Sequence, residues 1–157
     1  MERKIELPEI ASMLHSCFFG MENAHSKLIG SGHRAIVPIV PEIAKMLPGI
    51  LEAKGELKFD ENSTIDDDLQ RLQEYFNNDQ YFNKVLIEKI DDNKYLFQID
   101  GCFLAKTGVH KVLKPEHNTC LFAFIMGAVI HNKTGKSIRL FSSEFFDEGT
   151  RTIIEIV

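Results

Sequence analysis

The sequence has no tryptophan, only three cysteines, five prolines, and no excess of positive charge. Each shortage excludes something. Three cysteines are an odd number and too few for a disulfide framework, so a small secreted scaffold held by cross-links is not expected. The net charge is −5, with 18 Lys and Arg against 23 Asp and Glu. No segment concentrates the basic residues, which argues against binding nucleic acid through its phosphates. The longest apolar stretch, Leu121 to Ile130, is too short to span a bilayer. The opening residues Met1-Glu2-Arg3-Lys4-Ile5-Glu6 lack the apolar core of a secretory signal. A cytoplasmic protein that engages neither nucleic acid nor membrane is therefore expected.

What is present is phenylalanine. Twelve Phe and three Tyr make up the aromatic residues in a chain of 157 that is 44% hydrophobic and 26% charged. Phe brings apolar area without a polar handle, so a Phe-rich interior suits either a dry core or a pocket for an apolar guest. Core is the plainer reading of each Phe taken singly. The length fits one domain, 1–157, with no internal repeat or flexible linker to divide it.

The pattern changes character near the middle, into a helical part (1–78) and a hairpin–helix–hairpin part (79–157). From Pro8, the residues Ile10, Leu14, Cys17, Phe18, Met21 and Leu28 recur at three- and four-residue spacing. They predict an amphipathic helix buried along that stripe and ended by Gly30-Ser31-Gly32. On it, His15 and His25 read as core or surface residues and Glu22 as a solvated one. Residues 33–53 are apolar but carry Pro38, Pro41 and Pro48, which predicts one or two short or kinked helices. After a polar loop, Ser63 or Thr64 caps a helix whose apolar face is Leu69, Leu72, Tyr75 and Phe76. Two strand–turn–strand signals follow, 85–87 with 95–99 and 137–141 with 150–156, around Asp91-Asp92-Asn93 and Asp147-Glu148-Gly149. Between them lie a short helix within 102–113 and a longer one over 119–131, apolar nearly all round. The expected fold is α+β, a four-stranded antiparallel sheet with helices packed on one face.

Possible metal or catalytic chemistry gathers in the second half. Cys102, His110, His117, Cys120 and Glu144 supply the thiolate, imidazole and carboxylate groups that zinc accepts. Their spacing is not that of a zinc finger, since Cys-x-x-Cys does not occur. The same residues allow a thiol nucleophile, with Cys120 activated at a helix N-terminus and His110 or His117 as base. Ser142-Ser143-Glu144 has no Gly-x-Ser-x-Gly frame, and Gly30-Ser31-Gly32-His33-Arg34 lacks the preceding strand and the Lys of a phosphate loop.

Cys102-Phe103-Leu104-Ala105, then Cys120, Gly127, Gly135-Lys136, Ser143-Glu144-Phe145 and Gly149 form a pattern similar to the vinyl-reductase-type, or hydrocarbon-binding, small-molecule domain. The segment Gly108-Val109-His110 resembles the short stand-alone archaeal members in particular. The resemblance covers about the last 60 residues. It implies the fold of the ligand-binding domains of nitric-oxide signalling and of a Golgi vesicle-tethering subunit, and it implies a homodimer formed through the N-terminal helices. It also implies a zinc site to which Cys120 and Glu144 correspond. Two further family cysteines are missing here, Asp147 standing near one of them, so the site is either rebuilt with Cys102 and His110, His117 or Asp147 being other possible ligands, or degraded. The favoured expectation is a small apolar or aromatic ligand held in an interior cavity beside a structural zinc. Phe18, Phe103, Phe122, Phe124 and Met126 are its expected walls, with His25, His33 and Arg34 as polar anchors. A zinc- or thiol-dependent enzyme, and an assembly subunit acting through its N-terminal helices, are the alternatives.

Overall fold

The computed structural model describes residues 7–30, 38–53, 57–78, 80–113, 118–141 and 143–157. Its order is α1 (Leu7–Ile29), α2 (Ile39–Ala53), α3 (Ile65–Asn77), β1 (Lys84–Asp91), β2 (Lys94–Asp100), two 3-10 turns (Ala105–Thr107 and Val109–Val112), α4 (Leu121–Thr134), β3 (Ile138–Leu140), β4 (Glu144–Phe146) and β5 (Gly149–Ile156). The sheet is antiparallel, with β1, β2 and β5 side by side. β3 and β4 share the far edge of β5: Ile138–Leu140 pair with Ile156–Ile154 and Glu144–Phe146 with Arg151–Gly149. The five strands thus fill four positions, and the α+β architecture expected from the sequence is the one observed.

Alternation sorts the two faces of the sheet. Tyr95, Phe97 and Ile99 of β2 and Thr150, Thr152 and Ile154 of β5 are buried, and α4 packs against β3 and β5 on that side. The intervening residues carry a polar ladder: Arg151 Nε donates to Gln98 Oε1 at 3.1 Å and Arg139 pairs with Glu155 at 2.9 Å. Because α4 is covered by the sheet, α2 and α3, it can be apolar on nearly every side, and seven of its residues are buried. β5 opens on Gly149 because a Cβ there would run into the carbonyl of Ile99.

The helices follow their caps. At the start of α3 the Thr64 hydroxyl accepts from Asp67 N–H at 3.1 Å, and Asp67 returns an acceptor to Thr64 N–H at 2.9 Å, a reciprocal capping box. α3 also protects the outer edge of the sheet. Asn77 donates to the carbonyl of Val85 and accepts from its N–H, while Gln73 accepts from Ile87 N–H. Backbone groups that would otherwise invite another strand are thereby satisfied.

One expectation holds in number and another is corrected. Residues 39–53 form one helix of 15 residues, within the one or two expected, with Pro48 inside it. Pro41 lies in the first turn, where its missing N–H had no acceptor, and burial of Val40, Ala44 and Leu47 against α4 offsets the bond lost at Pro48. The apolar stripe of α1, by contrast, mostly faces away from the body: Ile10, Leu14, Met21 and Leu28 are 43–81% exposed and Cys17 is exposed as well, whereas Phe18 of the same stripe packs against the core. The inner face carries His15, Phe18, Phe19 and Glu22 instead. Among the described residues, no helix is long and apolar enough to cross a membrane.

Candidate binding site beneath the first helix

His15, Phe18, Phe19 and Glu22 fall at i, i+3, i+4 and i+7, so one face of α1 presents two polar groups with aromatic rings between them. His15 is 2% exposed, and neither of its ring nitrogens has a hydrogen-bond partner among the described residues. Its ring lies 4.2 Å from that of Phe19 and 6.4 Å from that of His110, centre to centre. Phe145 completes the surround, 5.7 Å from Phe19 and 5.0 Å from His110. Burial pushes the His15 imidazole down to about 4, with His110 adding to the effect. His110 is held by the β4–β5 turn, its Nδ1–H donating to the carbonyl of Phe146 at 3.2 Å. Burial lowers its pKa too.

At the other end of this face, Glu22 is completely buried. Asn118 Nδ2 donates to its carboxylate at 3.1 Å and Thr119 N–H donates at 3.1 and 3.2 Å. Burial raises Glu22 to about 7, partly opposed by these bonds. The Thr119 hydroxyl lies beside the same carboxylate and also favours its charged form. A cleft of about 650 Å³ opens between α1 and the 3-10 turns, lined by Ser12, Met13, Ser16, Cys17, Thr107, Gly108 and Val109.

The residues singled out from the sequence are divided among different places. Phe18 packs on Phe124, ring centres 5.6 Å apart, on the α1 side of the core. Phe122 and Phe103 join Phe76, Phe82 and Tyr81 in a separate aromatic cluster, because two residues along α4 turn Phe122 away from Phe124. Met126 is fully buried core. His25 is exposed and donates through Nδ1 to Met21 O, a bond within its own helix. His33, Arg34 and His117 lie outside the described residues.

The expected metal ligands do not form one group. Cys102 and Cys120 are both buried, and their thiolates would repel each other. Glu144 has a side chain 68% exposed and sits 3.7 Å from Arg151, while Asp147 is exposed in the following turn. Among the described residues no group of three or more His, Cys, Asp or Glu could hold a metal ion. Nor is Cys120 activated at the start of α4. Burial pushes its thiol up to about 12, outweighing the nearby amides of Ala123 and Phe122, and Cys102 is raised as well.

The sequence reading missed His15, Glu22, Asn118 and Thr119. A signal for the first two was present: seven residues apart, they share a face with Phe18 and Phe19 in a helix apolar on its other side. Comparison with protein-family models and with curated proteins finds no match.

Proposed function

We propose that the protein is a binding module that holds a small, largely apolar or aromatic ligand against the inner face of α1, with His15 as its polar contact. The observation that carries this reading is the buried, partnerless imidazole of His15 between Phe19 and Phe145. Leaving a buried polar group unpaired costs about 1–3 kcal/mol, and a ligand that brings a hydrogen-bonding group among these rings recovers it. The resemblance of Cys102 to Val157 to small-molecule domains supports the same class of function. The position of His15 keeps Phe18 and Phe124 of the expected wall and sets Phe19 and Phe145 in place of the Phe103–Phe122 cluster. No catalytic step enters the proposal, since burial holds both Cys102 and Cys120 as neutral thiols.

Titration of the full chain with N-phenyl-1-naphthylamine, an apolar fluorophore, tests this reading, and the absence of Trp keeps the emission window clear. Saturable one-to-one binding is expected, weakened about tenfold by His15→Phe. No saturable binding, or binding indifferent to His15→Phe, overturns it. Zinc enters only if Cys102 and Cys120 recruit ligands from beyond the described residues, such as His117. A stoichiometric metal in protein purified without chelator would restore that site.

One further observation favours the assembly alternative. The outward stripe of α1, with Met46 and Ile50 of α2 each more than half exposed, gives the N-terminal helices the apolar surface a homodimer needs. Sedimentation equilibrium at micromolar concentration should show a dimer that Leu14→Glu with Met21→Glu dissociates. A monomer at every concentration removes this reading.

A further inference from the structure

The outward face of α1 is regularly spaced. Ile10, Leu14, Cys17, Met21, Ala24 and Leu28 follow one another at intervals of four, three, four, three and four residues. That is a heptad repeat with apolar or small residues at both core positions, the seam along which two helices wind together. All six are exposed, whereas His15, Phe19 and Glu22 of the inner face are buried. Gly20 lies on the flank of this seam, in the middle of the helix and one position before Met21. Glycine weakens a helix interior relative to alanine. A Cβ at Gly20 would meet nothing within 4 Å. No described residue of the same chain therefore calls for glycine there, and the close approach of a second backbone does.

We infer that the seam is closed by α1 of a second copy of the chain, running antiparallel, with the two-fold axis at the level of residue 19. The inference rests on the assembly reading above and gives it a geometry. The order of the intervals reads the same from either end, so a reversed copy aligns its core positions with those of the first. Ile10 then meets Leu28, Leu14 meets Ala24 and Cys17 meets Met21, each pair twice. The inner layers each set a long side chain against a short one, which fills the seam evenly. A parallel pair would match every residue with itself and leave Ala24 facing Ala24 between layers of Met and Leu, a gap in the packing. In the antiparallel pair the two Gly20 backbones pass each other beside the axis. The surface is also large enough. The exposed fractions of Ile10, Met13, Leu14, Met21 and Leu28 amount to about three whole side chains, and Ile39, Met46 and Ile50 of α2 add about one and a half. Both helices rest on adjacent turns of α4, Phe18 on Phe124 and Val40 beside Gly127. Covered together, these residues give about 800 Å² per protomer, the share each partner contributes to a stable interface.

Cross-linking of the full chain reads the orientation, in a Cys17→Ser background where the remaining Cys102 and Cys120 are buried. Ile10→Cys and Leu28→Cys are made as separate proteins, mixed to exchange subunits, treated with a short bismaleimide and resolved by denaturing electrophoresis. Positions 10 and 28 are about 27 Å apart along one helix. In the antiparallel dimer neither protein links to itself, and only the mixture gives a dimer band. Each protein linking to itself marks a parallel pair, and no link at all in a protein that sediments as a dimer marks a different face. Either result would overturn the inference while leaving the assembly reading standing. Gly20→Arg should keep the far-ultraviolet circular dichroism of the protein and raise the dimer dissociation constant about tenfold or more. An unchanged constant overturns the close approach at Gly20 and the inference with it. A monomer at every concentration leaves the seam to a different protein and removes both readings.

Discussion

Replacing Glu22 by Gln, or His15 by Phe, should expose a pH dependence of stability that the unaltered protein conceals. In the unfolded chain His15 titrates near 6.5 and Glu22 near 4.5; in the folded protein burial moves them to about 4 and about 7. Between pH 4.5 and 6.5 the unfolded chain therefore carries both groups charged and the folded protein holds both neutral. The number of bound protons is the same in each state, so the pair contributes no slope. Each displacement alone is worth up to about 3 kcal/mol. His15→Phe leaves Glu22 by itself, and a raised carboxyl stabilises below its unfolded pKa and loses that contribution as pH rises. Its stability should fall between pH 4.5 and 7 and then level off. Glu22→Gln keeps an oxygen for Asn118 and Thr119 but leaves His15 by itself, a depressed imidazole whose contribution is present above 6.5 and lost on acidification. That variant should weaken as pH falls from 6.5 to 4, and His110, also lowered, steepens the same limb. Urea denaturation at half-unit steps from pH 4 to 8 measures all three proteins. Parallel profiles, or slopes of the opposite sign, would refute the idea that these groups are buried neutral beneath α1.

Three more outcomes are expected from the same structure. Asn77→Ala combined with Gln73→Ala strips the cover from Val85 and Ile87 on the outer strand; the double variant should aggregate faster, by light scattering, than its loss of stability explains. Lys133 donates to the carbonyls of Asp60 and Glu61 and to the Ser63 hydroxyl, and lies 3.4 Å from the buried carboxylate of Asp68. Lys133→Met should cost about 3 kcal/mol in denaturant titrations, and Asp68→Asn should recover part of that loss in the double variant. A thiol reagent should label only Cys17 promptly in the native protein, because Cys102 and Cys120 are buried, and all three cysteines in denaturant.

Much of the fold was legible because its signals were local and redundant. The capping box of α3, the turn residues between β1 and β2, and the unbroken apolarity of α4 each identify an element without reference to the rest of the chain. The antiparallel sheet followed from pairing two hairpins in the simplest way, although β4 was not among the expected strands. The site was less legible for a physical reason. Burial of a helix face depends on which neighbour meets it, and periodicity in α1 offered two faces: a long stripe of Ile, Leu and Met, and a shorter one with Phe18 and Phe19 between His15 and Glu22. Hydrophobicity favours the first, and the structure buries the second. Cys102, Cys120 and Glu144 illustrate a related limit. Residue types compatible with a metal say nothing about distance, and β4 directs Glu144 toward Arg151 and solvent.

The choice of face in α1 has an energetic consequence. Burying His15 and Glu22 without a counter-ion among the described residues works against folding, whereas turning the helix to bury Ile10, Leu14, Met21 and Leu28 would add apolar burial at about 25 cal/mol per Å². A helix selected only to complete a core would not be arranged this way. Local rules are broken where something other than stability fixes the residues. Here the conflict is sharpest in α1, while α3 and α4 bury their apolar faces as their sequences dictate and α2 buries Val40, Ala44 and Leu47. Both unusual surfaces of α1 then have the same explanation. In the proposed reading, its inner face is kept partly polar for a small molecule held by hydrogen bonds as well as by rings, and its outer face is kept apolar for a second copy of the chain. A helix with obligations on both sides is also the element through which occupancy of the inner site could alter what binds outside. His15→Phe should therefore change the dimer dissociation constant if the two faces are coupled, and leave it untouched if α1 merely fills the gap between them.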